Sequence, residues 1–337
     1  MLRGVSRYPR GRALGTSMNG TLVLPAFRPR ASAFLAAVAL DALLGDPPTV
    51  VHPVGWIGRA ARLLESCAPS GAPRRRRYGV VSAGALPLLA AGASWAWMRL
   101  AGRRGGAAAF VADVTALDAT FALRTLLLRA DEVRAALEAG DVEGARALLR
   151  RHLVSRDVDD LTPEEIAGAT IESVAENLSD GVVGPWLGYA VAGLSGAFAY
   201  RAINTLDSMW GYRSERYADL GFGAANLDDA ANWVPARLTA LAIVAAAGAL
   251  DGGPRGALEV WRRDAANTES PNAGHPMAAM AGALGVVLTK RGAYTLGAGG
   301  RAPVADDIAR AIRVARLAAY MSAAALVVLL TRCGRAR

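Results

Sequence analysis

Glu172, Glu176 and Asp180 recur at four-residue spacing, so on an α-helix their three carboxylates line one face together with Ser173 and Asn177, while Ile171, Val174, Ala175, Leu178 and Val182 form the other. Like charges at that spacing repel by roughly a few tenths of a kcal/mol per pair in water, and more when desolvated. The face is therefore either a solvated surface or a site for Mg²⁺, whose hard charge takes oxygen ligands. A second cluster, Tyr200 to Ser208, follows directly on an apolar run, with Arg201, Asn204 and Ser208 on one helical face and Asp207 beside it. Such groups either end a membrane span or build a site. Asp228 and Asp229 stand before an apolar helix, as helix-start acids do, and Asn232 does not complete the D-D-x-x-D signature of an Asp-rich prenyltransferase. The turn-rich Ser270-Pro271-Asn272-Ala273-Gly274-His275-Pro276 is either a connector or a loop presenting backbone N–H groups, Asn272 and His275 to an anion. His275 and His52 are each either a structural histidine or a general base.

These groups need rigid elements. Thr162-Pro163-Glu164-Glu165 carries an N-cap, a proline at the first helical position and a capping-box glutamate, so a helix should run from about Pro163 towards Asp180. Gly79 to Met98 is twenty uncharged residues, about the 30 Å a bilayer core requires. Val182–Tyr200, Leu238–Leu250 and Val314–Leu330 are further apolar stretches rich in small residues, as close helix packing in lipid favours. Asp113–Ala139 has a helical pattern, Gly140-Asp141 breaks it, and Val142–Arg151 starts a short amphipathic helix. Ser32–Gly45 is apolar but short, and Asp41 inside it argues against a cleaved signal peptide. The expected fold is all-α: a polytopic integral membrane protein with three or four spans plus amphipathic and re-entrant segments.

Composition agrees. Of 337 residues 53% are hydrophobic and only 20% charged. The net charge of +9 resides in an arginine-rich N-terminal tail, Arg74 to Arg77, and Arg99, Arg103 and Arg104, at the ends of apolar runs rather than on a folded face with aromatics. Nucleic acid is therefore excluded as a partner. Residues 1–31 read as a disordered basic extension, or as an over-long start with Met18 the alternative, and 32–337 as one helical membrane domain with a turn-rich loop at 267–276. Between Asp157 and Asp229 thirteen acids face three arginines, an acidic centre in a basic chain. Cys67 and Cys333 signal neither disulfide framework nor zinc site. Lys290 is the only lysine, in a context that does not suggest a pyridoxal phosphate enzyme, and a P-loop is absent.

Taken together, several strings resemble the CobD/CbiB family, the adenosylcobinamide-phosphate synthases of cobalamin biosynthesis. They are Asp41-Ala-Leu-Leu-Gly-Asp46-Pro-Pro with His52-Pro53-Val54 and Ile57-Gly58; Val154-Ser155-Arg156-Asp157; Ile171 through Gly181; Tyr200 through Met209 with Gly211-Tyr212; Asp228-Asp229 with Pro235-Ala236-Arg237-Leu238; and Ser270 through Gly274 with Ala281 through Gly285. In-order agreement spans residues 41–294. His275 and Met277 depart from the pattern.

The resemblance implies an enzyme that joins adenosylcobyric acid to (R)-1-aminopropan-2-ol or its O-phosphate through an amide on a corrin propionate. An unactivated carboxylate does not condense usefully with an amine in water, so ATP is the expected co-substrate and an acyl phosphate the expected intermediate, with Mg²⁺ to neutralise phosphate charge. Glu172, Glu176, Asp180, Asn204 and Asp207 are the catalytic candidates; Glu176, Asp180, Asp228 and Asp229 the metal candidates; Asp46, His52, Asn177, Arg201, Ser270, Pro271, Asn272 and His275 the substrate-binding candidates. The same resemblance implies the cell (inner) membrane, an active site on the cytoplasmic side, and other membrane enzymes of late cobalamin assembly as partners. A corrinoid-binding membrane protein or transporter is the alternative, and phosphothreonine decarboxylation is disfavoured by the single lysine.

Overall fold

The computed structural model describes residues 29–46, 52–212, 214–250 and 252–332. Thirteen helices carry nearly all of the order there: α1 (Pro29–Leu44), α2 (Pro53–Ser66), α3 (Ala72–Arg103), α4 (Gly106–Asp118), α5 (Leu123–Glu138), α6 (Val142–His152), α7 (Pro163–Asn177), α8 (Gly184–Ala192), α9 (Leu194–Trp210), α10 (Phe222–Ala249), α11 (Pro254–Asp264), α12 (Gly274–Leu284) and α13 (Ala305–Arg332). A π turn, Leu178–Val183, joins α7 to α8, and a short antiparallel hairpin, β1 (Leu288–Lys290) and β2 (Tyr294–Leu296), pairs Leu288 with Leu296. The hairpin is an addition to the expected all-helical pattern.

Four stretches are long and apolar enough to cross a membrane: α3, Gly106–Glu138, α10 and α13. Their outward residues fit lipid, with Val81, Leu88, Leu89 and Trp95 on α3 and Leu241 on α10 exposed. The chain is a multi-pass helical membrane protein, and Gly79–Met98 lies within α3. Three expectations need correction. Asp113–Ala139 is not one helix, because the chain leaves helical form between Asp118 and Leu123. Val182–Tyr200 is not one span either: Gly193, at φ +65°, reverses the chain so that α8 and α9 pack as a hairpin. Asp228 and Asp229 lie inside α10, not before it. The basic tail falls outside the described residues up to position 28, and α1 already includes residues 29–31.

The capping box forms as expected. Glu165 N–H donates to Thr162 Oγ1, Thr162 N–H donates to the Glu165 carboxylate, and Pro163 occupies the first turn. Helix α7 is the centre of the bundle: every residue from Ile166 to Ala175 is buried, so of the expected polar face Glu172 and Ser173 are covered, while Glu176 and Asp180 are half-buried and Asn177 is exposed. Small residues permit the close crossings. A Cβ on Gly188 would sit 2.6 Å from the Gly196 carbonyl, and one on Gly79 would sit 2.1 Å from that of Leu220, so α8 meets α9, and α3 meets the segment before α10, backbone to backbone. Trp186, fully buried on α8, meets Phe34 of α1 and Phe121 edge to face at 5.4 and 5.2 Å.

Candidate functional site

Helix α7 delivers Glu172 and Glu176, the π turn Asp180, α9 Arg201, Asn204 and Asp207, and α10 Asp228 and Asp229. They converge. The charges of Glu176, Asp207 and Asp228 all act on Asp180, and with burial they hold its carboxyl well above the usual carboxylate range. Burial likewise raises Glu176, which faces Asp207 while Lys290 of β1 and Arg156 pull the other way. Asp207 is pushed up to about 6 by burial and by Asp229. Glu172 is raised to about 7, burial outweighing Arg156, whose Nη2 donates to Glu172 Oε2 at 3.2 Å. The other oxygen of Glu172 is buried with no donor. Glu172 is therefore not part of a solvated face, while Glu176 is half-buried and Asn177 beside it is exposed.

A folded-state value above the ordinary one means that folding favours the protonated acid. The stability Glu172 contributes is complete below its unfolded value of 4.5 and is lost as pH rises through about 7. Glu172→Gln is accordingly expected to narrow the fall in melting temperature between pH 5.5 and pH 8, measured by differential scanning fluorimetry in detergent. An unchanged fall would show that Glu172 does not set it.

A buried relay joins α9 to α10. Tyr200 donates its hydroxyl hydrogen to Asn232 Oδ1, and Asn232 Nδ2 donates to Asp228 Oδ2 at 2.8 Å, leaving Asp228 Oδ1 buried without a donor. Gly184 makes room for it, since a Cβ there would lie 2.1 Å from the Tyr200 hydroxyl. Arg201 donates from Nη1 to Asn204 Oδ1 at 3.1 Å, and its buried Nε has no acceptor. Arg201 lies within the field of Asp46, Asp180 and Asp228.

Next to this acidic cleft is a cavity of about 210 Å³. It gathers four of the substrate-binding candidates, Asp46, His52, Asn177 and Arg201, and adds Arg129 and His152. Desolvation lowers the His52 pKa against the pull of Asp46, and it raises the Asp46 carboxyl despite His52 and Arg201. Asn177 is committed in part: its amide donates to the Ser173 carbonyl and hydroxyl at 2.9 and 3.1 Å.

The loop candidates reach the acidic cleft by one contact. Asn272, buried, donates from Nδ2 to the Asp229 carbonyl at 2.8 Å and accepts from Arg237. Ser270 Oγ accepts the N–H groups of Asn272 and Ala273, so the turn braces itself and positions Asp229. Pro271 is exposed. His275 belongs to the first turn of α12, and its Nδ1 accepts from Trp261 Nε1 at 2.8 Å, which leaves the proton on Nε2 and no free basic nitrogen. Its pKa is lowered by burial and by Arg237.

Sequence reasoning missed Arg156, Tyr200, Asn232, Lys290, Arg129 and His152 as site residues. Arg156 and Tyr200 sit inside the family-like strings, and Lys290 was marked by being the only lysine. Asn232 becomes meaningful only when α9 lies against α10.

A family model described as CobD/Cbib protein matches residues 34–323. The cobalamin biosynthesis protein CobD of Mycobacterium tuberculosis (strain ATCC 25618 / H37Rv) is 42% identical over 312 residues, covering 90% of this chain and 96% of that protein. Its namesake in Chromobacterium violaceum is 39% identical over 321 residues, 91% and 96% of the two chains, and a probable cobalamin biosynthesis protein CobD of Methanothrix thermoacetophila is 35% identical over 319, 88% and 97%. No protein of solved structure matches. With a family model across most of its length, and relatives that it spans almost end to end, the chain belongs to the CobD/Cbib family.

Proposed function

We propose that this protein acts in cobalamin biosynthesis as an amide-forming ligase, coupling the carboxylate of adenosylcobyric acid to 1-aminopropan-2-ol or its O-phosphate at the expense of ATP. The observation that carries the reading is the convergence of Glu176, Asp180, Asp207 and Asp228 around Arg201 and Asn204, a carboxylate-rich cleft beside a cationic donor. The donor set suits a hard divalent cation: it is all oxygen, and the Asp228 Oδ1 atom is buried with nothing donating to it. Among the described residues no three such side chains form a ready-made metal cage, and Mg²⁺ ordinarily takes one or two carboxylates and completes its shell with water and substrate phosphate. One or two of Glu176, Asp180, Asp228 and Asp229 would hold it, and it would supply charge neutralisation at the phosphate oxygens.

The protein's own groups do the rest. Arg201 and Asn204 donate to the transferred phosphoryl oxygens and hold the carboxylate in line with them. The Tyr200–Asn232 relay fixes the Asp228 rotamer, and Asn272 fixes the backbone at Asp229. Glu172, paired to Arg156 behind this surface, sets the local field. A bilayer location with the cleft on the cytoplasmic side follows from the need for ATP, and the inner membrane, where other late enzymes of cobalamin assembly would act, is the natural site.

The test incubates the purified full-length chain in detergent with adenosylcobyric acid, ATP, Mg²⁺ and either amine, and follows the corrinoid by mass spectrometry. The expected product gains one amidated amine while one nucleotide is consumed. A corrinoid of unchanged mass in every combination would remove the ligase reading.

A further inference from the structure

The cavity beside the acidic cleft has walls of two kinds. At about 210 Å³ it is smaller than the roughly 300–1,000 Å³ of sites for drug-sized ligands, a size that suits a molecule of few heavy atoms. Asp46, His52 and Arg201 act on one another, and separately Arg129, whose Nη1 donates to Glu132 at 2.7 Å, acts with Arg151 and Glu132 on His152. Behind Asp46 stand Asp41 and Asp118, both within reach of its charge. They are 2% and 6% exposed, and each has an Oδ1 with no donor among the described residues. Orphaned buried carboxylate oxygens are costly, and the three acids Asp41, Asp46 and Asp118 act on one another while Arg201 answers Asp46 and Arg124 answers Asp41, which leaves a surplus of one acid. An ammonium group answers that surplus with three N–H donors. Phe121, Leu126 and Val182 also line the cavity, a wall for a short carbon chain. The π turn that presents Asp180 to the cleft presents Gly181 and Val182 to the cavity, so the two spaces abut.

We propose that this cavity is the subsite for the small amine, and that His52, held beside Asp46, takes the proton the ammonium must lose before its nitrogen can attack. The inference rests on the ligase reading. The ammonium transfers one proton to the free imidazole nitrogen; the lone pair so released forms the C–N bond at the acyl carbon. The C–O bond to phosphate breaks, and the phosphate departs with that electron pair and the second nitrogen-bound proton. Arg129 and His152 receive the far end of the amine, its hydroxyl or phosphate oxygens.

The experiment compares wild type, His52→Gln and Arg129→Gln, full length in detergent, with 1-aminopropan-2-ol, its O-phosphate and hydroxylamine, which is unprotonated at neutral pH. His52→Gln is expected to lower kcat at pH 7 by about 100-fold with the two ammonium substrates, to regain rate steadily as pH rises, and to work near the wild-type rate with hydroxylamine. A merely structural role would depress all three amines alike, and that result overturns the assignment of His52. Arg129→Gln is expected to raise an amine KM about tenfold with the corrinoid KM unchanged: for the ester alone if phosphate fills that end, for both if the hydroxyl does. A raised corrinoid KM with unchanged amine KM values overturns the subsite. Should His52→Gln fail to fold, Asp46→Asn carries the same comparison. Calorimetric titration of both amines into wild type separates the two ideas: binding without turnover retains the subsite and removes the ligase, whereas turnover with altered corrinoid KM removes the subsite and retains the ligase.

Discussion

Glu176→Gln is expected to abolish measurable amide formation, with a loss of roughly 10²–10³-fold or more in kcat, while the protein inserts and melts as wild type does or slightly higher. The reason is the crowding of the cleft. Glu176 sits between Asp180 and Asp207, and only Lys290 and Arg156 offset its charge. Without substrate the carboxylate is a liability, since desolvation raises its pKa by more than Lys290 and Arg156 lower it, and a neutral amide of the same shape avoids that desolvation cost. With nucleotide and divalent cation present the same charge becomes a ligand that an amide replaces poorly. The two effects have opposite signs, so the variant separates catalysis from stability. Turnover at the wild-type rate would remove Glu176 from the mechanism, and a large fall in melting temperature would make it a structural residue.

Trp186→Ala is expected to cost about 3–5 kcal/mol of stability, the range for deleting a large buried aromatic, read as the loss of a cooperative thermal transition in detergent near the wild-type midpoint. Trp186 is fully buried and packs edge to face on Phe34 and Phe121. The damage should extend to function, because Phe121 lies in the break between α4 and α5 and forms part of the cavity wall beside Arg129. An unchanged melting temperature would mean that the hairpin of α8 and α9 holds without this anchor.

The parts of the fold governed by local chemistry were legible in the sequence. Thr162, Pro163 and Glu165 announce the start of α7 because cap, ring and carboxylate act within one turn. Gly79–Met98 announces a span because twenty uncharged residues have few other homes. The acidic spacing led to the cleft, and its carboxylates do converge. What was not legible depends on distance along the chain. Gly193 reads as one more small residue in an apolar run until its positive φ turns that run into a hairpin. Ser270 and Asn272 look like anion donors, yet their polar atoms are engaged by the turn itself and by Asp229. His275 looks like a base until Trp261, fourteen residues away, occupies its acceptor nitrogen. Tyr200 and Asn232 meet across 32 residues, and no periodicity in either helix marks them as a pair.

The π turn at Leu178–Val183 has a consequence for how this chain tolerates editing. A π turn holds one residue more than the α turn it replaces, closing i→i+5 rather than i→i+4 bonds, so it is in effect an insertion that the helix has absorbed without a loop. Deleting one residue from it, Ser179 for example, would push α7 and α8 towards one continuous α-helix, in which Pro185 has no N–H to give to the preceding turn and its ring crowds the carbonyl there. The same deletion would rotate Asp180 and Gly181 about the helix axis and away from the spaces they now face. A change in chain length between Asn177 and Gly184 is therefore expected to cost both the helix junction at Pro185 and the placement of Asp180 and Gly181.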